Sequence, residues 1–147
     1  VAVAFDLARF VRAQAGVWST ALGELQAGEK RSHWMWFVFP QVLGLGLSQN
    51  ARLYAIHGMD EAQAYLGHEL LGPRLNEATG AMLAHAGKRS PLDILGPIDA
   101  LKFKSSMTLY DAVCGEGCLF AEALDALCDG QRDQATLDRI ATQGDWQ

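Results

Sequence analysis

Lys30, Arg31, Ser32 and His33 stand in a row directly before the apolar run Trp34-Met35-Trp36-Phe37-Val38-Phe39. Where a helix begins, unpaired backbone N–H groups and the positive end of the helix dipole draw anions. Cations at such an end are unfavourable unless a carboxylate or a bound anion offsets them, so Lys30 and Arg31 point to an anion site. His33 is the one polar side chain of its block, and imidazole serves as general acid or base near neutral pH. His33 is therefore the candidate catalytic residue. The plainer reading is that Lys30 and Arg31 are solvated or pair with Glu24 or Glu29. Ser32 is then only a cap, and His33 bonds a backbone carbonyl.

A second cluster lies in "DALKFKSSMTLY". On a helix Asp99, Lys102 and Ser106 share one side by i, i+3, i+7 spacing, with Ser105 beside them. A lysine and two hydroxyls within a turn are donors for a phosphate or carboxylate. Alternatively Asp99 and Lys102 form an ion pair while the serines bond back to the preceding turn. Ser105-Ser106 followed by Thr108 is poor helix-interior chemistry, which predicts a tertiary role. Trp34 and Trp36, two residues apart, point in different directions, so at most one stacks on a flat ring, and the plainer reading is that both fill core. Gln41, just past Pro40, has an amide suited to a ligand or to closing the loop backbone.

Joined, these clusters predict a small concave site for an anionic, phosphate- or nucleotide-like ligand. Lys30, Arg31, Trp34, Gln41, Lys102, Ser105 and Ser106 bind it, and any chemistry falls to His33. The competing expectation is a non-catalytic protein-interaction or scaffold domain, self-association included. Whether the chain is an enzyme stays open.

Other classes have little support. The four histidines show no HxxxH or HExxH spacing, and Cys114, Cys118 and Cys128 lack a fourth ligand, so no metal is expected. "GLGLS" misses the phosphate-loop spacings, and no cofactor is implied. The odd cysteine count predicts reduced thiols, small buried hydrophobes in a cytoplasmic protein, with Cys114 and Cys118 on two elements joined by a turn. A net charge of -5 argues against nucleic acid. No apolar run reaches the ~18 residues that span a bilayer, so no membrane is expected either.

Placing these residues requires helices. Half of the 147 residues are hydrophobic, enough for one domain over residues 1–147. Apolar residues recur at helical spacing between glycines: Leu7, Phe10 and Val11 after Asp6, then Trp18, Leu22 and Leu25 before Gly28. Ser48 is expected to cap a helix reaching toward Gly58, and Asp60 the next one. A longer helix runs from Glu69 to Gly87 with Pro73 near its start. Ser90-Pro91 and Pro97 open two more, "CLFAEALDALC" is amphipathic, and Asp133 begins the last. "HWMWFVF", capped by Ser32 and stopped by Pro40, reads as a helix apolar almost all round. The expectation is an all-α, single compact multihelical domain of about seven to nine short helices around a central aromatic-rich helix.

The stretches "GEKRSHWMWFVFPQVLGLGLS", "YAI", "EAQAYLGHELLGPRL" and "DALKFKSSMTLY" together resemble the bacterial domain of unknown function 1810 family, whose fold is multihelical and Rv1873-like. The resemblance covers nearly the whole chain. It implies an all-α fold and no reaction. Such proteins are often called calpastatins, which fits poorly: calpastatins are disordered, whereas this chain carries closely spaced apolar faces.

Overall fold

A computed structural model describes residues 5–46, 48–114 and 118–142. Ten helices follow one another: α1 (Ala8–Gln14), α2 (Trp18–Ala27), α3 (Met35–Val38), α4 (Gln49–Leu53), α5 (Met59–Gly67), α6 (Leu71–Leu83), α7 (Pro91–Leu95), α8 (Pro97–Cys114), α9 (Leu119–Leu127) and α10 (Gln134–Thr142). Local chemistry accounts for many of these ends. Gly28 takes the left-handed conformation that closes α2, its N–H returning to the carbonyls of Glu24 and Leu25. The Ser48 hydroxyl accepts the Ala51 N–H at α4. Ser90 and Asp93 cap each other's backbone around Pro91, a full capping box.

Other ends were decided elsewhere. The helix expected from Ser48 toward Gly58 stops at Leu53, because Ile56 leaves it for a longer-range partner. Ile56 donates to Gln41 O and accepts from Leu43 N, each at 2.8 Å, around an isolated bridge between Val42 and Ile56. No longer strand forms among the described residues. Asp6, whose carboxylate could have capped α1, and Asp60, expected to cap α5, do not: the residues before α1 and α5 are Leu7 and Gly58. The aromatic block lies in the core, but its helix is the single turn of α3. Pro40 limits it at one end, and at the other the Ser32 hydroxyl bonds Glu24 instead of capping.

Two helices organise the packing. α8 meets α5, α7, α9 and α10, while α6 meets α2, α3, α5 and α9. Gly72, in the first turn of α6, lets that backbone cross the Leu66 carbonyl; a Cβ there would lie 2.0 Å from the oxygen. One apolar cluster unites Phe10, Leu25, Trp34, Phe39, Tyr65, Leu75, Phe103, Tyr110 and Phe120. Buried polar clamps hold the short elements in it. Arg9 pairs with Glu61 at 3.0 Å and donates to the carbonyls of Leu53 and Ala55. Gln14 donates to Phe37 O at 2.7 Å and accepts from Arg74, fixing α3.

The cysteines differ from the reduced, buried set expected. Cys114, at the exposed end of α8, forms a disulfide with Cys118, the residue before α9. A pair at two adjoining helix ends is within bridging reach, with Cα atoms 6.2 Å apart. The bridge removes the argument from reduced thiols on which a cytoplasmic location partly rested. Cys128 is free and half-buried.

Candidate functional site

Between α3, α4, α8 and α10 lies a pocket of about 270 Å³. The aromatic turn supplies Trp36, and the loop after Pro40 supplies Gln41, Val42, Leu45 and Gly46. Ala51 and Tyr54 close one side, and the first three turns of α8 contribute Ile98, Leu101, Lys102 and Ser105. Asp133 and Ala135, at the start of α10, complete it. Its walls are mostly apolar, with a few convergent polar groups, the composition of a small-ligand site. Its volume lies just under that of ordinary small-ligand sites, which run from roughly 300 Å³ upward, so it suits a small ligand.

The polar groups are anchored to different degrees. Lys102 Nζ lies 4.6 Å from the centre of the Trp36 ring and 3.6 Å from Asp99 Oδ1. The opposite Asp99 oxygen holds Lys30 at 2.8 Å, so Asp99 bridges both lysines. Trp36 has its indole N–H without an acceptor among the described residues. Ser105 shares its single hydroxyl proton between Asp133 Oδ2 at 3.0 Å and Leu101 O at 3.1 Å. The same Asp133 oxygen accepts the Thr136 N–H and hydroxyl, which caps α10. Asp133 N–H in turn donates to Thr108 Oγ1 at 2.9 Å.

Of the residues singled out in the sequence, the structure brings Gln41, Lys102 and Ser105 to this pocket. Lys30 is not in the lining but touches the group from behind, through Asp99. Arg31 is exposed and pairs with Glu29 at 3.1 Å. His33 is exposed, outside the lining, and makes no side-chain hydrogen bond among the described residues. Trp34 is fully buried, so its ring has no open face for a ligand. Ser106 is buried in α8, its hydroxyl unpaired among the described residues.

What gathers at the aromatic entrance is a carboxylate. Glu24 Oε1 accepts the N–H groups of Arg31 (2.8 Å) and Ser32 (3.0 Å) and the Trp34 indole N–H (2.9 Å). Oε2 takes the Ser32 hydroxyl at 2.6 Å. Partial burial pushes the Glu24 carboxyl upward, but these donors outweigh it and hold the pKa at about 2. An internal carboxylate thus occupies the place expected for a bound anion.

A family model described as "Protein of unknown function (DUF1810)" matches residues 4–140. The chain belongs to this family. It is also similar to the conserved hypothetical protein Rv1873 from Mycobacterium tuberculosis, known from a crystal structure. The two share 49% identity and a TM-score of 0.90, over 93% of this chain and 97% of that one. No curated protein matches the chain. The DUF1810 assignment agrees with the resemblance noted in the aromatic and α8 stretches, and it carries no reaction with it.

Asp133 and Tyr54 are among the pocket residues that sequence reasoning did not single out. Asp133 reads as a helix cap, and Tyr54 as one apolar position of a helix. Each reaches the pocket only through long-range docking: α10 onto α8, and Ile56 onto the loop after Pro40. Among the described residues no group of three His, Cys, Asp or Glu is arranged to hold a metal. None of the described helices is long and apolar enough to cross a membrane.

Proposed function

We propose that this protein binds a small organic ligand carrying a carboxylate or a single phosphate in the pocket beside Lys102. The carrying observation is that Lys102, Ser105 and Gln41 converge there on apolar walls. Lys102 meets the anionic group, Gln41 offers an amide donor, and Tyr54, Val42 and Leu45 cover the apolar body. The single lining lysine already shares Asp99, so one small anionic group suits the site better than a nucleoside triphosphate. Nothing in this geometry supports the catalytic role expected of His33, and binding is the whole of the reading.

Calorimetry and thermal shift with benzoate, phenyl phosphate and inorganic phosphate test it. Lys102→Ala is expected to weaken the best of these probes about tenfold or more. Its melting temperature should barely move, because a partly exposed ion pair contributes only ~0–1 kcal/mol. Equal affinity in wild type and variant would remove Lys102 from the site.

A second reading has its own observation. Ile98 and Leu101, on the rim, are 69% and 67% exposed, an apolar edge of the kind that anchors a protein partner or a second copy. Light scattering across concentration separates the readings: dimerisation abolished by Leu101→Lys favours an interaction domain.

A further inference from the structure

Charges within the pocket narrow the ligand class further, on the premise that the pocket binds a small ligand at all. Lys102 and Asp133 both line it. They flank Ser105, which lies one turn after Lys102 on α8 and donates to Asp133 Oδ2. That oxygen is saturated by three donors, whereas Oδ1 accepts no hydrogen bond among the described residues. Behind Lys102, Lys30 and Asp99 neutralise each other at 2.8 Å. The four charges Lys30, Lys102, Asp99 and Asp133 sum to zero, so a dianion entering here meets one lysine and a fixed carboxylate.

We infer that the pocket selects a small zwitterion of amino-acid size with an apolar side chain. Its carboxylate faces Lys102, and its ammonium faces the free oxygen of Asp133. Each ligand charge then meets an opposite charge, while its apolar part lies against Tyr54 and Leu101. A ligand lacking the ammonium leaves the Asp133 carboxylate desolvated beside an apolar group, and one lacking the carboxylate does the same to Lys102.

The test is calorimetry on the full chain with leucine and phenylalanine. Their deaminated counterparts (4-methylpentanoate, 3-phenylpropionate) and decarboxylated ones (3-methylbutylamine, 2-phenylethylamine) complete the set, with phenyl phosphate as control. At least one zwitterion is expected to bind, with each single-charge counterpart weaker by tenfold or more. Asp133→Asn retains a good helix cap and should bring the deaminated acid level with its zwitterion. Lys102→Met should do the same for the amine, so the inference does not depend on one variant folding.

If the deaminated acids or phenyl phosphate bind wild type as well as the zwitterions do, the inference falls while the ligand-binding reading stands. If none of the probes binds, both fall. Binding that persists unchanged in both variants places the ligand elsewhere and also overturns it.

Discussion

Glu24 decides what its neighbours do. Ser32, Arg31 and Trp34 all turn N–H or O–H groups toward its carboxylate. A carboxyl whose pKa falls from 4.5 to about 2 on folding stabilises the fold fully above pH 4.5 and loses that contribution as pH falls toward 2. The Glu61 carboxyl is also lowered: burial opposes ionisation, but the bonds from Arg9 and His57 prevail. Glu24→Gln should cost about 1.5–3 kcal/mol at neutral pH. Its melting temperature should also decline less than that of wild type between pH 4.5 and 2. Parallel acid profiles for the two proteins would show that Glu24 is not the source. Cysteine chemistry is decided at the same scale. Burial, with smaller opposed effects of Lys104 and Asp129, raises the Cys128 thiol to about 11, so it stays protonated and slow to react. Iodoacetamide followed by mass spectrometry should label none of the three cysteines quickly before reduction. After reduction Cys114 should be labelled first, and rapid labelling of Cys128 would contradict its burial.

Helix α8 shows what a run poor in helix propensity does in the fold. Ser105 and Thr108 bond back to the carbonyls of Leu101 and Lys104, as mid-helix hydroxyls do. The same two hydroxyls also hold Asp133, one by donating to its carboxylate and one by accepting its N–H. Farther along, Arg132 reaches Asp111 at 3.4 Å. This polar edge seats the first turn of α10, and that seat places Asp133 in the pocket. Thr108→Val keeps the shape and strands the Asp133 N–H, a loss of about 1–2 kcal/mol. Hydrogen exchange should quicken in α10 before it does in α6 or α9. Uniform quickening would mean that α10 is docked by its apolar face alone. The tertiary role expected of the "SSMT" run is thus visible at Ser105, although the residue it serves belongs to another helix.

For the whole molecule, the two tryptophans divide core from site. Trp34 is fully buried with its N–H given to Glu24, whereas Trp36 is half-buried in the pocket wall under Lys102. Trp34→Ala should cost about 3–5 kcal/mol, a large share of the ~5–15 kcal/mol that holds a domain folded. Trp36→Ala should cost distinctly less, and a reversed order in denaturant melts would contradict the assignment of core and wall. Much of this architecture was legible in the chain. Helical spacing, the Ser90-Pro91 helix start, the Gly28 stop and the aromatic block are local, because a cap or an apolar stripe depends on residues within a turn or two. Lys102, Ser105 and Gln41 were legible as polar groups beside apolar runs for the same reason. Arg31 with Glu29 and Lys102 with Asp99 were legible as near neighbours, but the long-range partners of the charges were not. Glu24 lies ten residues from Trp34, Lys30 pairs with Asp99 across the fold, and Asp133 reaches Ser105 only after α10 has docked. The sequence by itself determined that the chain is helical and most of the faces its helices bury, though not every helix end, since α4 stops at Leu53 and the aromatic helix is the single turn of α3. Tertiary structure alone decided which distant carboxylate meets which donor, since such bonds join residues that only chain closure brings together.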